Sequence, residues 1–531
     1  MKRFVSVIIS FMMIFSTAIF PVGAENNDTR ATKSKAIVII PGIAGSKLQN
    51  SSSQVVWLST ANPGRMTQLE CNENGASVNS ISTISNDTDG VLNTSKELYD
   101  ALESAYSNSY DIIFFSYDWR MSCSAAASLL STKLSSYNEV IIVAHSMGGL
   151  VASKYLATSN SNRSKVSKFI SIGTPYTGSA KALHMMETGE FIKIPVINIS
   201  PYKNTIKSLV CNFSAIYELL PTSRYFTNNT GYIKTGTTLL SNHTDSWNFM
   251  KAREWGKKSN GSSKTMFSNA TSFHNSLLVN GTHVANGGLV DTYKIYGKGE
   301  DTISRIIYAS DGTISISVVN TGDGTVCIQS ATNTLGANGS KVYGFNAKHL
   351  DLIEDTGVIN KVKSIINGTT TASSFSNGTS SINVNEKGWI IGENNKRTNI
   401  MIYNGSLVDI YNSKGEKLLI DGNTVYYNEG EKKVEVGSIW SLGQDSFQFV
   451  LYDDEYIVDV DKISTKNITV KIEYSDSGYY TKSATFNNIN TSSRITTTSS
   501  DSKDIKVTDN QGKEYVATKN LTKAELELLN N

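Results

Sequence analysis

Two textures of apolar and polar positions divide the chain. Up to about residue 367, short apolar runs recur without alternation: Ala36–Ile40, Ile112–Ser116, Val140–Ala144 and Phe169–Ile172. Strands apolar on both sides must be covered on both faces, which predicts a mostly parallel sheet flanked by helices. Between them the spacing becomes helical. Leu98, Ala101, Leu102, Ala105 and Tyr106 form one stripe, with Thr94 and Glu97 read as a capping box in front of it. Further helices are expected over Ala125–Leu134, Leu150–Ala157 and Thr356–Ile366, the last stopped by Gly368. Residues 180–290 lose this regularity and carry Met185, Met186, Phe191, Trp247, Phe249 and Trp255. They read either as a cap over a site or as an insertion with its own small core.

Residues 367–381 are a Ser/Thr/Gly/Asn linker by composition. Beyond it short strands alternate with turn signals such as Asp421-Gly422-Asn423: Trp389–Ile391, Ile400–Tyr403, Leu407–Tyr411, Leu418–Ile420, Val425–Tyr427, Val434–Val436, Phe447–Tyr452, Tyr456–Val460, Val470–Tyr474 and Ile505–Thr508. This predicts a β-sandwich-like domain over residues 382–531. Its Asp453-Asp454-Glu455 reads as a solvated hairpin turn rather than a calcium site.

The most specific chemistry lies at Val143-Ala144-His145-Ser146-Met147-Gly148-Gly149. An apolar strand enters, a helix leaves, and a serine occupies the tight turn between them. That order is the nucleophile elbow, with Ala144 in place of the usual first glycine. A triad then needs an acid and a histidine downstream, in that order. Asp323 lies in the turn Gly322-Asp323-Gly324-Thr325-Val326, which follows the strand-like run Thr313–Val319. His349 is the only histidine after it. Asp291 is the better rival acid, and Asp311 precedes a strand and is expected at the wrong edge of a sheet. The early strand Ala36–Ile40 runs into Pro41-Gly42-Ile43-Ala44-Gly45-Ser46. Its glycines let a backbone N–H turn towards the site, so Ile43, with Ala44 second, and Met147 are the candidate oxyanion donors.

Six motifs occur in one order: Pro41–Leu48, Val56-Trp57-Leu58-Ser59, Tyr117-Asp118-Trp119-Arg120, Ala144–Gly149, Gly173-Thr174-Pro175-Tyr176-Thr177-Gly178-Ser179 and Gly322–Val326. Together they resemble the lecithin:cholesterol acyltransferase and lysosomal phospholipase A2 family over about residues 35–367. The resemblance implies an α/β-hydrolase that moves an acyl chain from a lipid ester onto Ser146 and then to water or an alcohol. It assigns Ser146, Asp323 and His349 to the triad and Ile43 and Met147 to the oxyanion hole. It also places Trp57 in a mobile, lipid-contacting lid; burial of Trp57 in the core is the alternative. Animal members carry a cysteine pair around the lid, where this chain has Cys71 alone.

Composition narrows the setting. Lys2 and Arg3 precede an apolar run to Phe20, and Val22-Gly23-Ala24 suits signal peptidase, so residues 1–24 read as an export signal. Its removal takes two of the 49 basic residues and none of the 47 acidic ones, leaving 47 of each. No nucleic-acid partner is expected from that balance. Contact with a membrane or micelle surface would be apolar. Abundant Asn, Ser and Thr with only 7 prolines read as a bacterial export product, hence secreted. Four cysteines, Cys71, Cys123, Cys211 and Cys327, are candidates for pairing, with a bond at Cys327 able to fix the acid loop. No metal or cofactor is called for.

The expected map is signal 1–24, linker 25–34, α/β-hydrolase domain 35–366 with a lid near 49–93 and a cap near 180–290, linker 367–381, and accessory domain 382–531 with a cell-surface or glycan ligand. The expected activity is that of a secreted serine esterase on lipid or other esters, with O-acyl transfer as a second outcome. The rivals are a peptidase or small-ester hydrolase on the same fold, and a non-catalytic adhesin with a vestigial hydrolase part.

Overall fold

Six strands form one parallel sheet in the spatial order Lys341–Phe345, Thr292–Gly297, Val166–Ile172, Glu139–His145, Lys35–Ile40 and Asp111–Phe114. The computed structural model describes residues 33–522 apart from 60, 85–86, 191–201, 226–230, 237, 241, 311, 333–340, 370–395, 422, 430–431, 444, 453, 464, 477–478, 499–504, 509–511 and 521. The export signal, nearly all of linker 25–34, Phe191, Asp311, the linker beyond 369 and the strand at Trp389–Ile391 lie outside the described residues.

The unbroken apolar runs split between two cores, as strand geometry requires. Ile37, Ile39, Ile141, Val143, Ile170 and Ile172 face Leu98 and Leu102 of helix Lys96–Tyr106, together with the Val358, Ile359, Val362, Ile365 and Ile366 stripe of helix Thr356–Ile366. The intervening residues Ala36, Val38, Ile40, Val140, Ile142 and Ala144 face the opposite side, with Leu130 and Val151 from helices Cys123–Lys133 and Gly148–Thr158. The capping box is not formed. Helix Lys96–Tyr106 starts after Ser95 without a side-chain cap, and the Thr94 hydroxyl donates to the Val91 carbonyl at 3.0 Å instead.

The segment expected as a lid is folded onto the body. Leu48–Asn50, Val55–Trp57 and Ile81–Thr83 form a small antiparallel sheet, and fully buried Arg120 donates to the Leu69 carbonyl and the Ser77 hydroxyl, at 2.9 and 3.0 Å. Trp57, expected at a lipid-facing surface, is only 2 % exposed. Its indole packs edge-on against Trp119 with ring centres 5.2 Å apart. The sequence showed an aromatic in a polar stretch, but not the second indole that buries it. In the 180–290 region, Trp247 packs edge-on and Trp255 stacks against Phe267 in the main core, and Met185 and Met186 are buried with them.

The C-terminal residues build an eight-stranded antiparallel sheet over a three-stranded one, made of Ser406–Asn412, Tyr456–Asp461 and Ser493–Thr496. Ile400, Phe449 and Val470 of the first meet Ile410, Val458 and Ile495 of the second in one core. Residues 454–455 link strand Ser446–Tyr452 to strand Tyr456–Asp461 of the other sheet, so the expected hairpin there is a crossover between layers. Met401, Tyr403, Trp440, Leu442 and Val450 belong to the same core as the hydrolase part. Residues 34–531 accordingly cluster as one compact unit.

Candidate active site

Parallel strands put all their carboxyl ends on one edge, where such sheets bind ligands. Five of the six strands are followed directly by a motif or site residue at that edge. Lys35–Ile40 is followed by Pro41–Ser46, Asp111–Phe114 by Tyr117–Arg120, Glu139–His145 by Ser146, Val166–Ile172 by Gly173–Ser179, and Lys341–Phe345 by His349.

Asp323 reaches the edge by another route than its sequence context suggests. The strand before it, Ile314–Gly322, is not part of the parallel sheet. It pairs with Glu300–Tyr308 in a four-stranded mixed sheet. The chain leaves the end of strand Thr292–Gly297, makes this hairpin, and returns beside its starting point. A Cβ built on Gly297 would lie 2.6 Å from the Asp323 Cβ. Asp291 sits at the other end of that strand, with its side chain 45 % exposed and 3.2 Å from Lys341. It is therefore at the wrong edge, whereas Asp323 is at the right one.

The structure brings Ser146, His349 and Asp323 together. The Ser146 Oγ is 2.8 Å from His349 Nε2, and His349 Nδ1 is 2.7 Å from Asp323 Oδ2. An ionised carboxylate only accepts, so Nδ1 carries the proton and Nε2 is left to accept from the serine hydroxyl. The other carboxylate oxygen, Oδ1, accepts from the Thr325 and Val326 N–H groups at 3.0 and 2.7 Å. The His349 N–H donates to the Asp323 carbonyl at 2.8 Å, so the acid and base loops are tied through backbone as well as side chain. All three side chains are buried at the sheet edge.

Ser146 has φ +52°, a left-handed conformation that is costly for a residue with a Cβ. Its N–H is held by the Ile172 carbonyl at 2.8 Å. The loop carrying Ile43 crosses close by; a Cβ at Gly42 would come within 2.8 Å of the Ser146 Cβ. Met147 directly precedes helix Gly148–Thr158, whose N-terminal dipole end favours negative charge.

Three supporting residues were not singled out by sequence reading. His145 donates from Nε2 to the His349 carbonyl at 2.9 Å, and burial, then the neighbouring His349, pushes its pKa down to about 3. It stays neutral and holds the base loop. Lys181 extends Nζ to the Gly324 carbonyl and the Thr325 hydroxyl, both at 3.3 Å, beneath the Trp440 ring. Ser179 caps helix Ala180–Thr188 and donates to the Thr325 carbonyl. The string Gly173–Ser179 was visible as a motif, but its partner loop lies about 150 residues on, too far for any local pattern to reveal. The cysteines are buried free thiols. Cys327 meets the Tyr225 hydroxyl at 3.5 Å, so hydrogen bonds rather than a disulfide fix the acid loop. Among the described residues no group of three or more His, Cys, Asp or Glu is placed to hold a metal.

Residues 89–335 match the lecithin:cholesterol acyltransferase family. This part of the chain is similar to that family, on an α/β-hydrolase fold. Similar solved structures include the Tle4–Tli4 complex, with 13% identity over 64% of this chain and 100% of that one and a TM-score of 0.46. Lipase BlEst2 of Bacillus licheniformis is similar in its mature form, with 14% identity over 64% of this chain and 94% of that one and a TM-score of 0.30. In its propeptide form the figures are 12%, 92%, 96% and 0.33. Comparison with curated proteins gave no match. The matched region ends before His349, whose place is set by the sheet rather than by the match.

Proposed function

We propose that the protein is a serine esterase acting on lipid esters, with Ser146 as nucleophile, His349 as general base and then acid, and Asp323 as the group that orients the imidazole. The observation carrying this reading is the unbroken 2.8 and 2.7 Å relay from a left-handed serine to a buried carboxylate. As Ser146 Oγ attacks the ester carbonyl, its proton passes to His349 Nε2. Asp323 stabilises the imidazolium without taking the proton. The tetrahedral oxyanion is held by the Ile43 and Met147 N–H groups; losing one such donor costs about 3 kcal/mol of barrier. The C–O bond then breaks, and His349 returns the proton to the leaving alcohol. Water, or a second alcohol, repeats the sequence in reverse on the acyl-enzyme, giving hydrolysis or acyl transfer.

The substrate class rests on the family match, and export with loss of residues 1–24 on the sequence pattern. The wild type should hydrolyse long-chain p-nitrophenyl esters and phosphatidylcholine vesicles, while the Ser146→Ala variant releases no fatty acid from either. Turnover restricted to acetyl or peptide substrates would instead favour a small-ester hydrolase or peptidase.

A further inference from the structure

We infer that Trp57 is a positioning residue for the oxyanion loop; the inference rests on the esterase reading above. The loop Pro41–Ser46 has most of its carbonyls taken. The Tyr117 hydroxyl donates to the Pro41 carbonyl at 2.8 Å, the Trp57 Nε1–H to that of Ala44 at 2.8 Å, and the Trp119 Nε1–H to that of Ser46 at 3.1 Å. The Val91 N–H takes the Gly45 carbonyl at 3.0 Å. Three donors are therefore aromatic side chains of the motifs Val56–Ser59 and Tyr117–Arg120, which the triad leaves unused.

One of these bonds leads directly to the Ile43 N–H. In a planar trans peptide the C=O and the following N–H point in opposite directions, so fixing one fixes the other. Trp57 holds the Ala44 carbonyl and thereby aims the N–H of Gly45. That N–H donates to the Gly42 carbonyl at 3.1 Å. The Gly42 carbonyl shares its peptide with the Ile43 N–H, which is thereby turned away from the closed turn. Two rigid peptides and two hydrogen bonds thus connect the indole to the oxyanion donor. Ala44 also sits at φ +62°, a left-handed conformation it holds only under outside constraint.

Trp57 is itself immobilised. It ends strand Val55–Trp57, and its ring abuts Trp119, which in turn meets Phe213 at 5.8 Å. Arg120, oriented by a 2.7 Å ion pair with Asp118 of its own motif, pins the neighbouring segment to the same corner through the Leu69 carbonyl and the Ser77 hydroxyl. The segment between strand Leu48–Asn50 and helix Lys96–Tyr106 thus acts as a brace behind the loop.

The test is Trp57→Phe, which keeps a ring in place and removes the donor. Displacing an oxyanion donor by part of an ångström should lower kcat roughly 10- to 100-fold. KM for a soluble p-nitrophenyl ester should stay within about twofold and the melting temperature within a few degrees, since one hydrogen bond is lost and little volume. Trp119→Phe is the control. Its bond goes to Ser46, outside the two-peptide path, and its kcat loss should be several-fold smaller. Trp57→Tyr repeats the test should the phenylalanine variant not accumulate. A kcat near wild type, a loss shared equally by both tryptophans, a rise in KM alone, or failure of both Trp57 variants to fold would each overturn the inference. Activity surviving in Ser146→Ala would sink the esterase reading instead, so the two failures are distinguishable.

Discussion

The parallel sheet and the C-terminal antiparallel sheet use similar apolar residues to opposite ends. In the first, all strands run one way, so loops spaced over 300 residues gather on a single edge and can assemble a relay. In the second, strand direction alternates, loops are shared between two edges, and buried polar side chains serve attachment. Gln448 bonds both the N–H and the carbonyl of Ile316, Ser438 donates to Asp301, and the Ser441 N–H donates to Glu190. Chain polarity, more than composition, decides which sheet carries chemistry.

Substitutions should separate the two regions. At the parallel edge they should remove turnover and spare the fold. His349→Gln should cut kcat at least 10⁴-fold, because the serine loses its only base. Asp323→Asn should cost roughly 10⁴-fold by favouring the wrong imidazole tautomer. Asp291→Asn, at the opposite edge, should change kcat less than twofold by steady-state assay. In the C-terminal sheet the order should reverse. Trp440→Ala removes a buried indole from the shared core and should cost about 3–5 kcal/mol of stability, read as a fall in melting temperature. Turnover per folded molecule should fall less than tenfold. A kcat loss without a melting change would instead mean that Trp440 acts on the acid turn through Lys181.

Much of this was legible because it is local. Unbroken apolar runs gave four of the six parallel strands, while Thr292–Gly297 and Lys341–Phe345, interrupted by Lys294 and Gly344, were not read; the strand–serine–helix string gave the elbow. Asp323 was reached by the right motif for a wrong reason, since the strand before it lies in a different sheet. A hairpin inserted at the end of a strand leaves no local mark. Trp57 failed differently: its burial depends on Trp119, about 60 residues away. The strand Tyr479–Ile489 was missed because its composition is largely polar; among its described side chains Ala484, Phe486 and Ile489 are the apolar ones in the core. The C-terminal residues were read as an accessory domain behind a linker, and composition says nothing about the core they share with the hydrolase part. Trp440, buried against the hydrolase part, is what sequence could not show.

The central claim is that the relay at the sheet edge makes Ser146 a nucleophile. A fluorophosphonate probe, followed by digestion and mass spectrometry, tests it most directly. The account predicts one phosphonylated site, at Ser146, formed in wild type at neutral pH. Labelling should be slowed by orders of magnitude in His349→Gln and absent in Ser146→Ala. An unlabelled, folded wild-type protein, or label on another residue that persists in Ser146→Ala, would contradict it.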